Sequence, residues 1–164
     1  MTQQTVIETK FGYIELLFDI TDLLSVTRVN SRKSSDTIDS SIVDPVIDCI
    51  AGKRDGSGIP VRLIGSMFQI KVWNIIRSLQ SGEVISYSEL ARRAGNVRAT
   101  RAVAAACGKN PCPIIIPCHR VTRRDSGLGG FFWGIDVKRE LLTREGLKTS
   151  SDGQNIQPDL YSRF

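Results

Sequence analysis

No stretch of the 164-residue chain approaches the roughly 20 consecutive apolar residues that a membrane-spanning helix needs, so no membrane partner is expected. The opening residues, MTQQTVIETK, lack the basic region and apolar core of a secretion signal. A cytoplasmic protein is the expectation. With it come four reduced thiols (Cys49, Cys107, Cys112 and Cys118) rather than two disulfides. Histidine is scarcer still, since His119 is the only one. The spacing of Cys107, Cys112, Cys118 and His119 does not match a paired C-x₂₋₄-C knuckle, so no metal is expected. Acidic residues are missing where basic ones gather. Between Arg92 and Arg124 there are eight basic residues and no acidic one. Residues 1–65 carry seven Lys/Arg against nine Asp/Glu, a net of −2, and residues 66–164 carry fifteen against eight, a net of +7. Such a basic region reads either as a solvated face or as a contact for a polyanion, nucleic acid first.

Residues 13–18, 25–30 and 59–64 read as strands, and 31–40 as a polar loop. Residues 38–51 have helical spacing at Ile42, Val46, Cys49 and Ile50. Gly65 reads as a boundary. Ser66-Met-Phe-Gln69 is a capping box opening a helix with an apolar stripe at Phe68, Val72, Ile75, Ile76 and Leu79. Ser86-Tyr-Ser-Glu89 is a second box, Gly95 stops that short helix, and Asn96 can cap a third running to about Lys109. This is the layout of a helix-turn-helix. On the third helix Ala99, Ala102, Val103 and Ala106 are expected to face the core, with Arg98, Arg101 and Ala105 opposite. The polar stretch 149–164 is expected to be loosely ordered.

"IIIPCHRV", residues 114–121, poses the chemical question. Residues 114–116 read as a short buried strand that Pro117 ends, with Cys118 at its exit. A lone cysteine is usually a buried structural thiol. Here, however, it adjoins the only histidine, and Arg120, Arg123 and Arg124 would favour a thiolate. Residues 136–145 read as a helix with Val137, Leu141 and Leu142 on its apolar side, and Glu145 falls on that same stripe. A buried carboxylate needs a partner. An arginine, a backbone N–H or His119 would serve, and the last would complete a Cys–His–Glu relay that takes the proton from the thiol.

"IPCHRV", together with "GEVISYSELA", "RATRAVAAACGKNP" and "FFWGIDVKRELLTREG", resembles the O6-alkylguanine-DNA alkyltransferases over residues 67–146. The resemblance implies an α+β fold. A small N-terminal ribonuclease-H-like sheet domain (1–64) would precede a mainly helical catalytic and DNA-binding domain with a helix-turn-helix (65–148), followed by a polar tail (149–164). It implies a monomeric DNA-repair protein that binds double-stranded DNA carrying O6-alkylguanine. The alkyl group would pass irreversibly to the protein's own cysteine, once, with no cofactor.

Residue by residue, the resemblance makes Cys118 the alkyl acceptor and His119 with Glu145 the water-linked relay. Tyr87 would help neutralise the leaving guanine, and Asn110 would be the hinge before the reactive cysteine. Arg101 would fill the gap left by an extruded nucleotide, while Ser88, Asn96 and Arg124 meet the DNA. Backbone groups at Cys118, Val121 and Trp133 would bond the guanine edge, within a pocket walled by residues 128–134. Phe131 stands where a tyrosine is common in this family. A cysteine hydrolase, a non-catalytic lesion binder and a plain DNA-binding regulator are the competing readings. The first needs an oxyanion hole and turnover, the second lacks the cysteine, and the third leaves Cys118 idle.

Overall fold

The computed structural model describes residues 1–32 and 41–157. The fold is α+β, with small sheets and short helices. Contacts divide it into two units, residues 1–64 with 111–116, and residues 65–110 with 117–164.

The first unit is built on an antiparallel meander of β1 (Gln3–Thr9), β2 (Gly12–Phe18) and β3 (Leu23–Val29), paired in that order. Alternation along β2 buries Ile14, Leu16 and Phe18 on one face, the period-two pattern of a half-buried strand. β1 has no counterpart among the strands expected from the sequence. Helix α1 (Val43–Ile50) buries Val46, Cys49 and Ile50 of the expected stripe, together with Val43, while Ile42 is buried just before the helix starts. Residues 33–40 of the expected polar loop, and the first turn expected from Ile38, lie outside the described residues. The strand expected over 59–64 is reduced to one parallel bridge, Leu23 with Val61. Arg62 beside it is held by Asp19 and Asp22 at 2.6 and 2.9 Å.

Residues 111–116 correct another expectation. They form a tight turn, not a strand: Ile116 N–H donates to Cys112 C=O at 2.8 Å, and Pro113 bridges Ile116. Two prolines and a left-handed Ile114 (φ 74) keep this stretch out of a ladder.

Among the described residues the second unit carries four α-helices, α2 (Met67–Arg77), α3 (Tyr87–Arg93), α4 (Thr100–Gly108) and α5 (Ile135–Arg144). The Ser66 capping box is present in both directions, a motif worth about 1 kcal/mol at such a terminus. The second box is only half made: Ser86 Oγ accepts from Glu89 N–H at 3.1 Å, but the Glu89 carboxylate is taken by Arg92 and Arg93. Trp73 is buried on α2 and donates its indole N–H to Ala106 C=O at 2.8 Å, tying α2 to α4.

Two residues of parallel sheet, β4 (Ile85–Ser86) against β5 (Val121–Thr122), complete the frame. Ser86 ends β4 and caps α3, so Tyr87, the first residue of α3, starts beside the segment just after Cys118. Asn96 does not cap a helix as expected. Its Oδ1 accepts from Arg98 N–H at 3.0 Å in a local turn, and α4 begins later, after Ala99. The buried stripe of α4 is Val103, Ala106 and Cys107, while Ala102 is exposed. Among the described residues no helix is long and apolar enough to cross a membrane.

Candidate active site

Cys118, His119 and Arg120 form one turn of 3-10 helix and are all buried, at 5%, 1% and 6% exposure. This buried CHR turn places the only thiol–imidazole neighbours of the chain away from bulk water. His119 Nε2 lies 2.8 Å from Glu145 Oε1. Glu145 is the residue just past α5. Its carboxylate takes every kind of partner its position allowed. Arg120 grips it through Nη2 at 2.8 Å and Nε at 3.0 Å, His119 holds Oε1, and Gly82 N–H donates to Oε2 at 3.3 Å. Arg120 also donates to Leu79 C=O at 2.6 Å.

Burial acts to raise the Glu145 carboxyl, but hydrogen bonds from His119 and Arg120 outweigh it and hold the group at about 2. An ionised Glu145 fixes the imidazole tautomer, since Nε2 must carry the proton it donates. The other nitrogen, Nδ1, is buried and has no hydrogen-bond partner among the described residues. It is the lone pair free to receive a proton. Burial lowers the basicity of His119 more than Glu145 raises it, so the ring is neutral in the resting site.

The thiol is not preformed as a thiolate. Burial pushes Cys118 up to about 11, against the opposing hydrogen bond from Asn110 and the charge of Lys138. Arg120, Arg123 and Arg124, expected from sequence to favour the thiolate, do not surround it. Arg120 is committed to Glu145 and Leu79, and Arg123 and Arg124 are exposed. The cation that serves the thiol is Lys138 on α5, which is 0% exposed and which sequence reasoning missed. Its Nζ donates to Val121 C=O at 2.6 Å and Gly130 C=O at 3.3 Å. Burial lowers it to about 8, so it stays largely protonated at neutral pH. The missed signal was positional: Lys138, Leu141, Leu142 and Glu145 are spaced i, i+3, i+4, i+7, the template of one buried face.

Cys118 opens onto a cavity of about 450 Å³ lined by Tyr87, Ala104, Cys107, Gly130, Phe131 and Phe132. Burial raises the Tyr87 phenol well above its ordinary range, so it remains a hydrogen-bond donor. A second, more open cavity of about 700 Å³ shares Tyr87, Ala104 and Gly130 with the first and continues along Arg123, Gly129, Gln154 and Asn155. Gly129 sits at φ +71, and a Cβ there would meet the Tyr87 ring at 3.2 Å, so only glycine lets the loop approach so closely. Trp133 is buried, packed edge-on against Phe131 and Phe132.

The fold thus gathers Cys118, His119, Glu145, Asn110 and Tyr87 in one place. Arg101, Asn96 and Arg124 are exposed, and Ser88 is half-buried with its hydroxyl 2.9 Å from that of Ser86. Val121 is buried, with its carbonyl already accepting from Lys138. Among the described residues no group of three or more His, Cys, Asp or Glu could hold a metal ion.

Residues 67–147 match the model of the 6-O-methylguanine DNA methyltransferase, DNA binding domain. A probable methylated-DNA–protein-cysteine methyltransferase of Acanthamoeba polyphaga mimivirus is 37% identical over 152 residues, covering 88% of this chain and 97% of that protein. The bifunctional transcriptional activator/DNA repair enzyme Ada of Escherichia coli is 47% identical over 87 residues. That match takes in 53% of this chain and only 25% of Ada, so the chain spans about a quarter of that relative's length. Among solved structures, Mycobacterium tuberculosis OGT in complex with DNA superposes with a TM-score of 0.76 at 33% identity, covering 87% of this chain and 91% of that one. A likeness that covers 97% of one such protein, a matched domain and a shared fold lead to one assignment: the chain belongs to the methylated-DNA–protein-cysteine methyltransferase family.

Proposed function

We infer that the protein repairs O6-alkylguanine in duplex DNA by transferring the alkyl group to Cys118, once per molecule. The observation that carries this reading is a buried thiol in the wall of an apolar cavity, with a neutral histidine and an ionised glutamate behind it. The alkylated base is out of reach inside a stacked duplex, so its nucleotide must be extruded. Cys118 gives its proton to His119 Nδ1, directly or through a water. Glu145 stabilises the imidazolium that forms. Lys138 and Asn110 stabilise the thiolate. Sγ then attacks the saturated carbon on O6. The C–S bond forms as the C–O bond breaks, and the negative charge goes to the guanine, where the Tyr87 hydroxyl donates to the departing base. The high resting pKa of Cys118 has a use here, because a thiol that is not a standing thiolate is spared by stray electrophiles.

In this reading the first unit corresponds to a ribonuclease-H-like domain, and α3 and α4 are the two members of a helix-turn-helix. α4 and the turn before it approach a groove through Arg101 and Arg98, set among small side chains. Ser88, Asn96 and Arg124 meet the strand backbone. Backbone groups at Cys118, Val121 and Trp133 meet the guanine edge. The protein acts as a cytoplasmic monomer without cofactor. Exposure of Arg101 on α4 supports its role as the side chain that fills the space of the extruded nucleotide.

The test compares two substrates. Arg101→Ala should slow transfer from a methylated duplex by at least about tenfold, since unstacking costs a few kcal/mol. It should leave transfer from free O6-benzylguanine nearly unchanged, because that substrate needs no extrusion. Equal losses on both would remove Arg101 from this role.

A further inference from the structure

The segment after α5, expected from sequence to be loosely ordered, is folded back as far as Gln157 and hydrogen-bonded into the loop that walls both cavities. Leu128 N–H donates to Gln154 C=O at 3.1 Å, and Ile156 N–H donates to Ser126 C=O at 2.8 Å. Gly127 and Asn155 are bridged antiparallel between these bonds. On the loop's other side Arg123 N–H donates to Gly127 C=O at 2.8 Å. Residues 126–128 are therefore held by the C-terminal segment on one side and by Arg123 on the other.

The segment is itself fastened. Gln157 N–H reaches Lys148 C=O at 3.0 Å, Arg139 Nε reaches Gly153 C=O at 2.9 Å, and Ile156 is buried with Val84, Leu128, Leu142 and Leu147. Immediately after Leu128 the loop runs into Gly129-Gly130, a pair without side chains to pin it and with the most backbone freedom to lose. This pair is anchored by Lys138 Nζ on Gly130 C=O and by the backbone hydrogen bonds that end at Leu128. Gln154 and Asn155, in the C-terminal segment, line the larger cavity beside Tyr87 and Gly129.

We propose that residues 149–157 are a positioning element of the nucleotide site: they hold the Gly129-Gly130 wall against Tyr87 and so set the affinity for the extruded base. This rests on the alkyl-transfer reading above. Among the described residues no hydrogen bond joins the segment to the proton relay or to α4. Its loss should therefore weaken capture of the base without changing the chemistry of the thiol or the affinity for unmodified duplex.

The experiment is single-turnover transfer from free O6-benzylguanine over a range of concentrations, with Ile156→Asp to expel the segment and Ile156→Val as the conservative control. Ile156→Asp should raise the half-saturating concentration by about tenfold, the equivalent of one good contact. The limiting rate should stay close to the parent's, and Ile156→Val should restore the parent curve. General unfolding would instead lower the burst amplitude at an unchanged half-saturating concentration. Hydrogen exchange on the unaltered protein gives an independent reading: the amides of Leu128 and Ile156 should be protected together. A full-amplitude burst with an unchanged half-saturating concentration would overturn the proposal. So would free-peptide exchange at those two amides, even if the variant does not fold. Absence of any burst in the parent would refute alkyl transfer itself, which the exchange data would not touch.

Discussion

Replacing Cys118 by alanine should reduce alkyl transfer to background while leaving duplex binding intact. The alternative acceptors are poorly placed. Cys49 and Cys112 belong to the first unit and are buried. Cys107 lines the same cavity as Cys118, so it is the informative case. Burial, reinforced by any charge on Cys118, pushes its thiol to about 12, and the only histidine in the chain is the neighbour of Cys118. A thiol without a base nearby stays protonated, and a protonated thiol is a poor nucleophile. The binding surface should survive because Cys118 is not on it. Arg98, just before α4, and Arg101, in it, remain exposed whatever stands at position 118. The check is a burst assay with methylated duplex beside an anisotropy titration with unmodified duplex. Residual transfer mapped to Cys107 would mean that the cavity alone activates a thiol.

Glu145→Gln should have the next largest effect, and it acts on both rate and stability. The amide keeps the shape but not the charge, leaving the buried Arg120 guanidinium without its counter-ion. Removing one member of a buried pair costs about 3–5 kcal/mol. The sign with pH comes from the direction of the shift. Glu145 is held at about 2 in the folded protein, below its ordinary 4.5. Its contribution to stability is therefore complete above pH 4.5 and lost as pH falls toward 2. Parent and variant should differ most near neutrality and converge in acid. On the rate side His119 loses the partner that fixes its tautomer and offsets its charge. General-base help of this kind is worth about a hundredfold or more. That loss should shrink as pH rises toward about 11, where Cys118 ionises unaided. A rate ratio that stays constant from neutral to alkaline pH would make Glu145 purely structural.

Much of this site was legible in the sequence because its residues are tied to rigid local signals. The Ser66 capping box fixed where α2 begins, Ser86 fixed α3, and Glu145 declared itself as a carboxylate on an apolar stripe. What stayed hidden has physical causes. Lys138 occupies the core-facing row of α5 but is charged, and a pattern read by hydrophobicity assigns that row to Val137 instead. The arginines after Cys118 look like thiolate-stabilising neighbours in one dimension. The 3-10 turn sends Arg120 back to Glu145 and Leu79, and Arg123 and Arg124 point outward. Ile114 to Ile116 have the composition of a strand, but the flanking prolines and the Ile116–Cys112 hydrogen bond make them a turn. Most of the C-terminal segment is polar and reads as a loose tail. One apolar residue, Ile156, and a set of backbone hydrogen bonds hold it through Gln157, and backbone bonds leave no trace in composition.

The central claim is that Cys118 keeps the group it takes. An S-alkyl cysteine has no carbonyl for water to attack, so nothing in the site regenerates the thiol. The most direct measurement is intact and peptide mass after incubation with excess O6-methylguanine duplex, alongside the time course of repair. The account predicts one burst equal to the protein concentration, a mass gain of one CH₂ unit, and that gain located on Cys118. Repair continuing past one equivalent per protein, or the added mass found on Cys49, Cys107 or Cys112, would contradict it.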